Sequence, residues 1–247
     1  MSKLNRGFFE KIGDAFYSIL IQDKRYETFL LGILNTFLIT VASILIGGVL
    51  GFGLFLLLKI SNNNKVYDKI LKAASWIIGV LPVVVILMIF YYVIFGSSNL
   101  SSLAISIIVY SLLFMCSTLN LLRLGTNAVD KGQEEAAKSL GYSKMSTFFK
   151  IILPQALKHI FPPLKGEISS LIKATSIVGY VAVLDLTKAA DLIRSQTFEA
   201  FLPLLVVAIV YILFAVLFSF IINKINIRID PKHRKKDKIL KGIKTND

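Results

Sequence analysis

Histidine and cysteine are nearly absent from this 247-residue chain, which has two histidines, His159 and His233, and one cysteine, Cys116. A single thiol excludes an intramolecular disulfide, and its place inside an apolar run marks it as buried and inert rather than redox-active or metal-binding. Neither histidine has a cysteine or carboxylate at metal-ligand spacing, so no zinc site is expected. Charge is scarce as well: 17% of residues are charged against 55% hydrophobic. That balance excludes an ordinary soluble domain and points to a polytopic membrane protein. No Gly-x-x-x-x-Gly-Lys-Ser/Thr loop occurs, so no nucleotide site is expected on this chain. Ser, His and acidic residues form no catalytic pattern, and the neighbours Glu134 and Glu135 diverge on a helix. The reading is a non-enzyme that binds no cofactor or metal. There is also no terminal apolar core with an Ala-x-Ala-like cleavage site, so the first hydrophobic span is expected to direct insertion itself.

What the chain has instead is a series of long apolar runs. Residues 1–28 are polar and mixed in charge, with Phe8, Phe9, Ile12, Phe16 and Ile19 or Leu20 at roughly helical intervals. They predict an amphipathic helix on the outer membrane surface. Residues 29–58 form the first span, longer than the ~20 residues that cross a bilayer, with Gly47, Gly48, Gly51 and Gly53 giving it a smooth stretch for close helix packing. Residues 73–95 form the second span, and Pro82 is expected to kink it or end a turn. The third, about 103–124, carries Ser106, Ser111, Ser117, Thr118 and Asn120, which should face neighbouring helices or a pathway. Residues 167–186 read as a fourth span with Lys173, Thr175, Ser176 and Gly179, whose charge implies a protein or water-lined setting. A polar break over 185–200, a fifth span over 201–222 and a basic tail complete the chain. The fold class is thus all-α integral membrane protein, with about five core spans over residues 29–223 and a tail over 224–247.

Charge is lopsided between alternate connections. The segments after spans one, three and five hold 21 basic and 8 acidic residues, whereas the other three hold 7 of each. The positive-inside rule then puts the N-terminus outside and the C-terminus in the cytoplasm. Lys232, Arg234, Lys235, Lys236 and Lys238 would rest on anionic lipid, each contributing ~1 kcal/mol. A tethered basic tail needs no nucleic-acid partner.

The longest polar island runs from Gly132 to Leu164. Gln133 to Leu140 holds strong helix formers with its acids early and Lys138 late, as the helix dipole favours. Gly141 stands where a left-handed cap belongs. Ser143 is a candidate N-cap for a second helix carrying Met145, Phe148, Phe149, Ile152 and Leu153, which Pro154 is expected to interrupt and turn. The product is a compact helical knuckle with an apolar face in the aqueous phase.

Glu135-Ala136-Ala137, then Gly141, then Ile152-Leu153-Pro154 resembles the EAA loop of ABC importer permeases. The resemblance extends to Lys173, Thr175 and Ser176 and to Leu186-Thr187-Lys188-Ala189-Ala190, which look like elements of the polar amino acid (histidine/glutamine-type) permeases, and covers about Thr28 to Asp230. It implies a coupling loop over about 125–165 in which Glu135, Ala136, Ala137, Gly141, Tyr142, Ser143, Ile152, Leu153 and Pro154 dock on ATP-binding cassette ATPase subunits. ATP and Mg would sit on that partner. It further implies a second permease chain (homo- or heterodimer), an extracytoplasmic solute-binding protein, and a bacterial inner membrane setting. Ser117, Asn120, Thr175 and Ser176 are the candidates to line the path of a small polar solute. The chain departs from the pattern at Gly79, Val80, Leu81, Ile86, Asn120 and Ala174, where the family carries polar or charged groups near the pathway.

Two rival classes predict features not found in the sequence. A lipid-modifying membrane enzyme predicts intramembrane histidines or paired carboxylates; a stand-alone channel or ion-coupled carrier predicts mid-membrane acids and internal symmetry.

Overall fold

A computed structural model describes residues 17–60 and 65–229. The expected amphipathic residues Phe8, Phe9, Ile12 and Phe16 and the basic cluster of the tail lie outside the described residues. Among the described residues the regular structure is entirely helical. After short turns at Tyr17–Ile21 and Gln22–Lys24, the helices are α1 (Arg25–Ile60), α2 (Lys65–Val80), α3 (Val83–Met88, running on as a wide turn over Ile89–Ile94) and α4 (Ser102–Asn127). There follow α5 (Lys131–Ser139), α6 (Lys144–Thr147, with a wide turn over Phe148–Ile152), α7 (Leu153–Ala174, tightening over Thr175–Val181), α8 (Leu186–Thr197) and α9 (Phe201–Ile229).

Among the described residues, three helical stretches are long and apolar enough to cross a membrane: Gln22–Lys59, Ser102–Asn127 and Phe201–Arg228. Two bent pairs pass the same test only when joined, Val66–Val80 with Val83–Ile94 and Lys144–Val181 with Leu186–Thr197. Pro82 lies at the first break, since proline lacks the N–H that would continue the ladder, and it caps α3 from outside with φ −58 and ψ 132.

Three expectations are corrected. Pro154 does not turn the chain: it sits in the first turn of α7, where a missing N–H is tolerated. The preceding turn widens so that the Leu153 N–H reaches the carbonyl of Phe148, five residues back. The polar break over 185–200 is largely α8, because Asp185 caps it and its apolar side buries Leu186, Ala189, Ala190 and Ile193. The hydrophilic stretch before the second span already contains the first turns of α2, where Asp68 pairs with Lys72 at 2.7 Å and with Arg123 at 2.6 Å.

The chain divides into two compact units. One comprises the described part of Met1–Ser43 with Leu81–Tyr110 and Leu171–Phe214. Its core gathers Ile19, Phe29, Leu186, Ala189, Ala190, Ile193 and Val207. Gly32 lets α1 pass close to the α8 entrance: an added Cβ would stand 2.8 Å from the Asp185 carbonyl oxygen. Thr36 Oγ1 accepts from the Leu186 amide at 3.1 Å, and Asn35 donates to the Leu184 carbonyl at 2.8 Å.

The other unit comprises Ile44–Val80, Ser111–Ser170 and the described part of Ala215–Asp247. Its core joins Phe55, Leu119, Leu122, Phe148, Ile152, Ala156 and Ile160. Two of the four expected close-packing glycines are used that way. Gly47 lies against the backbone of Ser111, and a Cβ on Gly51 would come within 2.7 Å of the Met115 carbonyl.

Candidate functional site

The polar island folds as a knuckle whose every turn is closed by a named group. Asp130 accepts from the Gly132 amide at 2.7 Å, so α5 starts two residues earlier than the run of helix formers suggests. Glu134 and Lys138 pair one turn apart at 3.0 Å. The helix ends in a Schellman motif: the Tyr142 amide donates to the Ala137 carbonyl at 3.0 Å and the Gly141 amide to Lys138 at 2.9 Å. Gly141 has φ +79, which a Cβ would make costly. Ser143 Oγ then accepts from the Ser146 amide at 3.3 Å and opens α6.

Aromatic packing holds the knuckle to the end of α1. Phe148 is 1% exposed, its ring centroid is 5.8 Å from that of Phe55, and the Lys59 ammonium lies 4.4 Å from the same ring. Gln155 donates to Gln133 at 3.4 Å, tying α7 back to α5. Hydrogen bonding from Lys138, followed by the fields of Lys138, Lys59 and Lys144, holds the Glu134 carboxyl below the usual carboxylate range.

The nine loop residues fall into two groups. Ala137 and Ile152 are buried and Leu153 is partly buried, so they support the corner. Glu135, Ala136, Gly141, Tyr142, Ser143 and Pro154 are exposed. Leu140, which the motif comparison passed over, is 77% exposed. Its signal was present: an apolar residue directly before the capping glycine of an otherwise polar helix. With Ala136 and Tyr142 it gives the knuckle an apolar tip fixed by hydrogen bonds, suited to a groove on a partner.

The four pathway candidates are not equivalent. Ser117 and Asn120 belong to one unit and Thr175 and Ser176 to the other. Ser117 Oγ donates to Glu167 at 2.7 Å, and Asn120 is exposed. Thr175 is fully buried and its hydroxyl donates to the Ile172 carbonyl at 2.7 Å. Ser176 donates to the Lys173 carbonyl at 2.7 Å and lines a pocket of ≈ 430 Å³ with Gly179, Tyr180, Asp185, Lys188 and Arg194. Asp185, 0% exposed, accepts from the amides of Thr187 and Lys188 at 3.0 and 3.1 Å. It therefore shapes the pocket wall as a helix cap.

Comparison with known proteins bears on most of the chain. The "Putative glutamine transport system permease protein GlnP" of Rickettsia conorii is 33% identical over 195 residues, covering 77% of this chain and 87% of that protein. The like-named protein of Rickettsia bellii is 44% identical over 100 residues, which span 40% of this chain and 46% of that protein. A crystal structure of an amino acid ABC transporter with histidines superposes with a TM-score of 0.73 at 26% identity, over 91% of this chain and 100% of that one. Residues 43–231 match the family described as binding-protein-dependent transport system inner membrane component, and the chain belongs to that family, as the non-catalytic permease component of an ABC transporter.

Proposed function

We propose that this permease serves an ATP-driven importer of amino acids or related small polar solutes, and that Glu135 to Pro154 is its coupling element. The observation that carries the reading is the knuckle's exposed tip, Ala136, Leu140 and Tyr142, standing on the buried base of Ala137, Phe148 and Ile152. A capped helix seated in an ATPase groove moves with that groove, and the packed base passes the motion to α1 and α7. The solute class draws support from relatives named for glutamine and from the amino acid transporter that shares the fold.

In this reading each bent pair contributes one span, giving five over residues 29–223, with the loop over about 125–165 and the basic tail over 224–247 facing the cytoplasm. Residues 1–28 lie outside. Two ATPase subunits, a second permease chain and an extracytoplasmic solute-binding protein complete the assembly. Solute passes between protomers along Ser117, Asn120, Thr175 and Ser176. Proteoliposomes holding the full complex test the reading: ATP-dependent uptake of labelled glutamine, histidine or arginine supports it, and uptake that continues without ATP sinks it.

A further inference from the structure

Phe198 is 94% exposed and sits on left-handed backbone, φ 57 and ψ 18, as the C-terminal cap of α8. That region suits glycine or asparagine and is uncommon for a bulky aromatic residue. The turn itself does not need the ring: the Phe198 amide donates to the Arg194 carbonyl at 2.9 Å, a bond that glycine would make equally. Nor does the ring gain burial within the described residues. An apolar side chain held out of the core on strained backbone draws its stabilisation from outside the chain.

The neighbouring residues point to lipid. The exposed residues just before the ring, Arg194, Ser195 and Gln196, are polar, and the large exposed ones after it, Phe201, Leu204 and Leu205, are apolar. The latter belong to α9, which is long enough to span the bilayer. The exposed apolar surface therefore runs from Phe198 into the membrane and does not end as a patch in water. A second span, α1, starts at the same level: Arg25 Nε donates to Gln196 Oε1 at 3.3 Å, and Tyr26 beside it is 43% exposed. Polar side chains and aromatic rings that meet where two spans begin mark the boundary between headgroups and acyl chains. We infer that Phe198 is a membrane anchor whose ring enters that boundary, with Tyr26 and Phe201 at the same level, and that it holds the end of α8 at headgroup depth. The orientation proposed above makes this the outer leaflet, whereas the insertion itself rests on neither that orientation nor the coupling reading.

The test uses the full-length chain in nanodiscs. Trp76 is the single tryptophan, so Trp76→Phe gives a dark background in which Phe198→Trp reports alone. Leu213→Trp, at a position 60% exposed near the middle of α9, serves as the deep reference. Each is read in phosphatidylcholine brominated at successive acyl positions, and with iodide in the water. The Phe198→Trp protein should lose most of its emission to bromine nearest the headgroup, and the reference to bromine near the chain ends. Quenching of Phe198→Trp by iodide and by no bromolipid would put the ring in water. Quenching by neither would put it under a second copy or another protein, and a depth equal to the reference would put it in the hydrocarbon. Each of these three results overturns the inference and leaves the docking of the knuckle to its own assay. Phe198→Asn separates ring from turn, because asparagine keeps the left-handed cap. With detergent melting as the check on folding, it should lose hydrogen-exchange protection at the last turn of α8 in nanodiscs; unchanged protection there contradicts the anchoring role.

Discussion

The hydroxyl of Ser117 donates to the carboxylate of Glu167 across 2.7 Å, joining α4 to α7 between residues 50 positions apart. An interhelical bond of this kind is worth about 0.6–1.7 kcal/mol in a membrane protein. Ser117→Ala should lower stability by that amount, and a double-mutant cycle with Glu167→Gln should show the two changes to be coupled. Unchanged melting with lost uptake would instead assign the hydroxyl to the solute.

At the knuckle, Gly141→Val should break the coupling corner without harming membrane insertion. An ideal Cβ at this position meets nothing within 4 Å, so the cost comes from the left-handed backbone alone, roughly 1–2 kcal/mol. ATPase association should fall while the variant reaches the membrane in normal amounts. Gly141→Asn, which tolerates this conformation better, should retain more of both association and transport.

Around the α8 entrance, Asp185→Ala removes the acceptor of two amide bonds from a fully buried site. A loss of about 1–2 kcal/mol is expected from the missing cap. Gly32→Ala should cost a similar amount by pushing α1 off the Asp185 carbonyl. Thermal unfolding of the two variants in detergent checks both, and wild-type melting in either would remove that contact from the account.

Much of this was legible in residue types. The capping positions Gly141 and Ser143 were readable because a helix end needs a left-handed residue after it and an oxygen before the next one. Pro82 was readable as a break because proline lacks the N–H that would continue the helix ladder. The α8 helix was missed since its polar content outweighs its apolar stripe until Asp185 is recognised as a cap. Pro154 misled because the widened turn before it absorbs the missing donor, with the Leu153 N–H reaching back to the Phe148 carbonyl. Thr175 and Ser117 were picked out by polarity alone, and residue type could not show that their hydroxyls bond Ile172 and Glu167. Asn35 and Thr36 gave the opposite case: two polar residues in an apolar run, whose bonds to Leu184 and Leu186 lie about 150 positions away.

The Glu134 carboxyl, held below its ordinary range chiefly by the Lys138 hydrogen bond, sets a pH dependence. Its folded pKa lies below the unfolded value of about 4.3, so the pairing contributes fully above that value. It is lost as pH falls through the lower folded pKa. Melting curves taken from neutral pH downward should show this acid-side loss in the parent and not in Glu134→Gln. Because the pair is exposed, the difference should shrink in high salt.

The central claim is that the knuckle docks on an ATPase, and co-purification tests it most directly. The tagged chain is extracted from its native membrane in mild detergent, and the proteins that accompany it are identified by mass, for the parent and for Leu140→Asp. The parent should bring down a Walker-motif ATPase, and the variant, inserted in equal amount, should bring down little or none. Recovery of the parent alone under conditions that preserve known complexes would contradict the account, as would equal ATPase recovery with aspartate at the exposed tip.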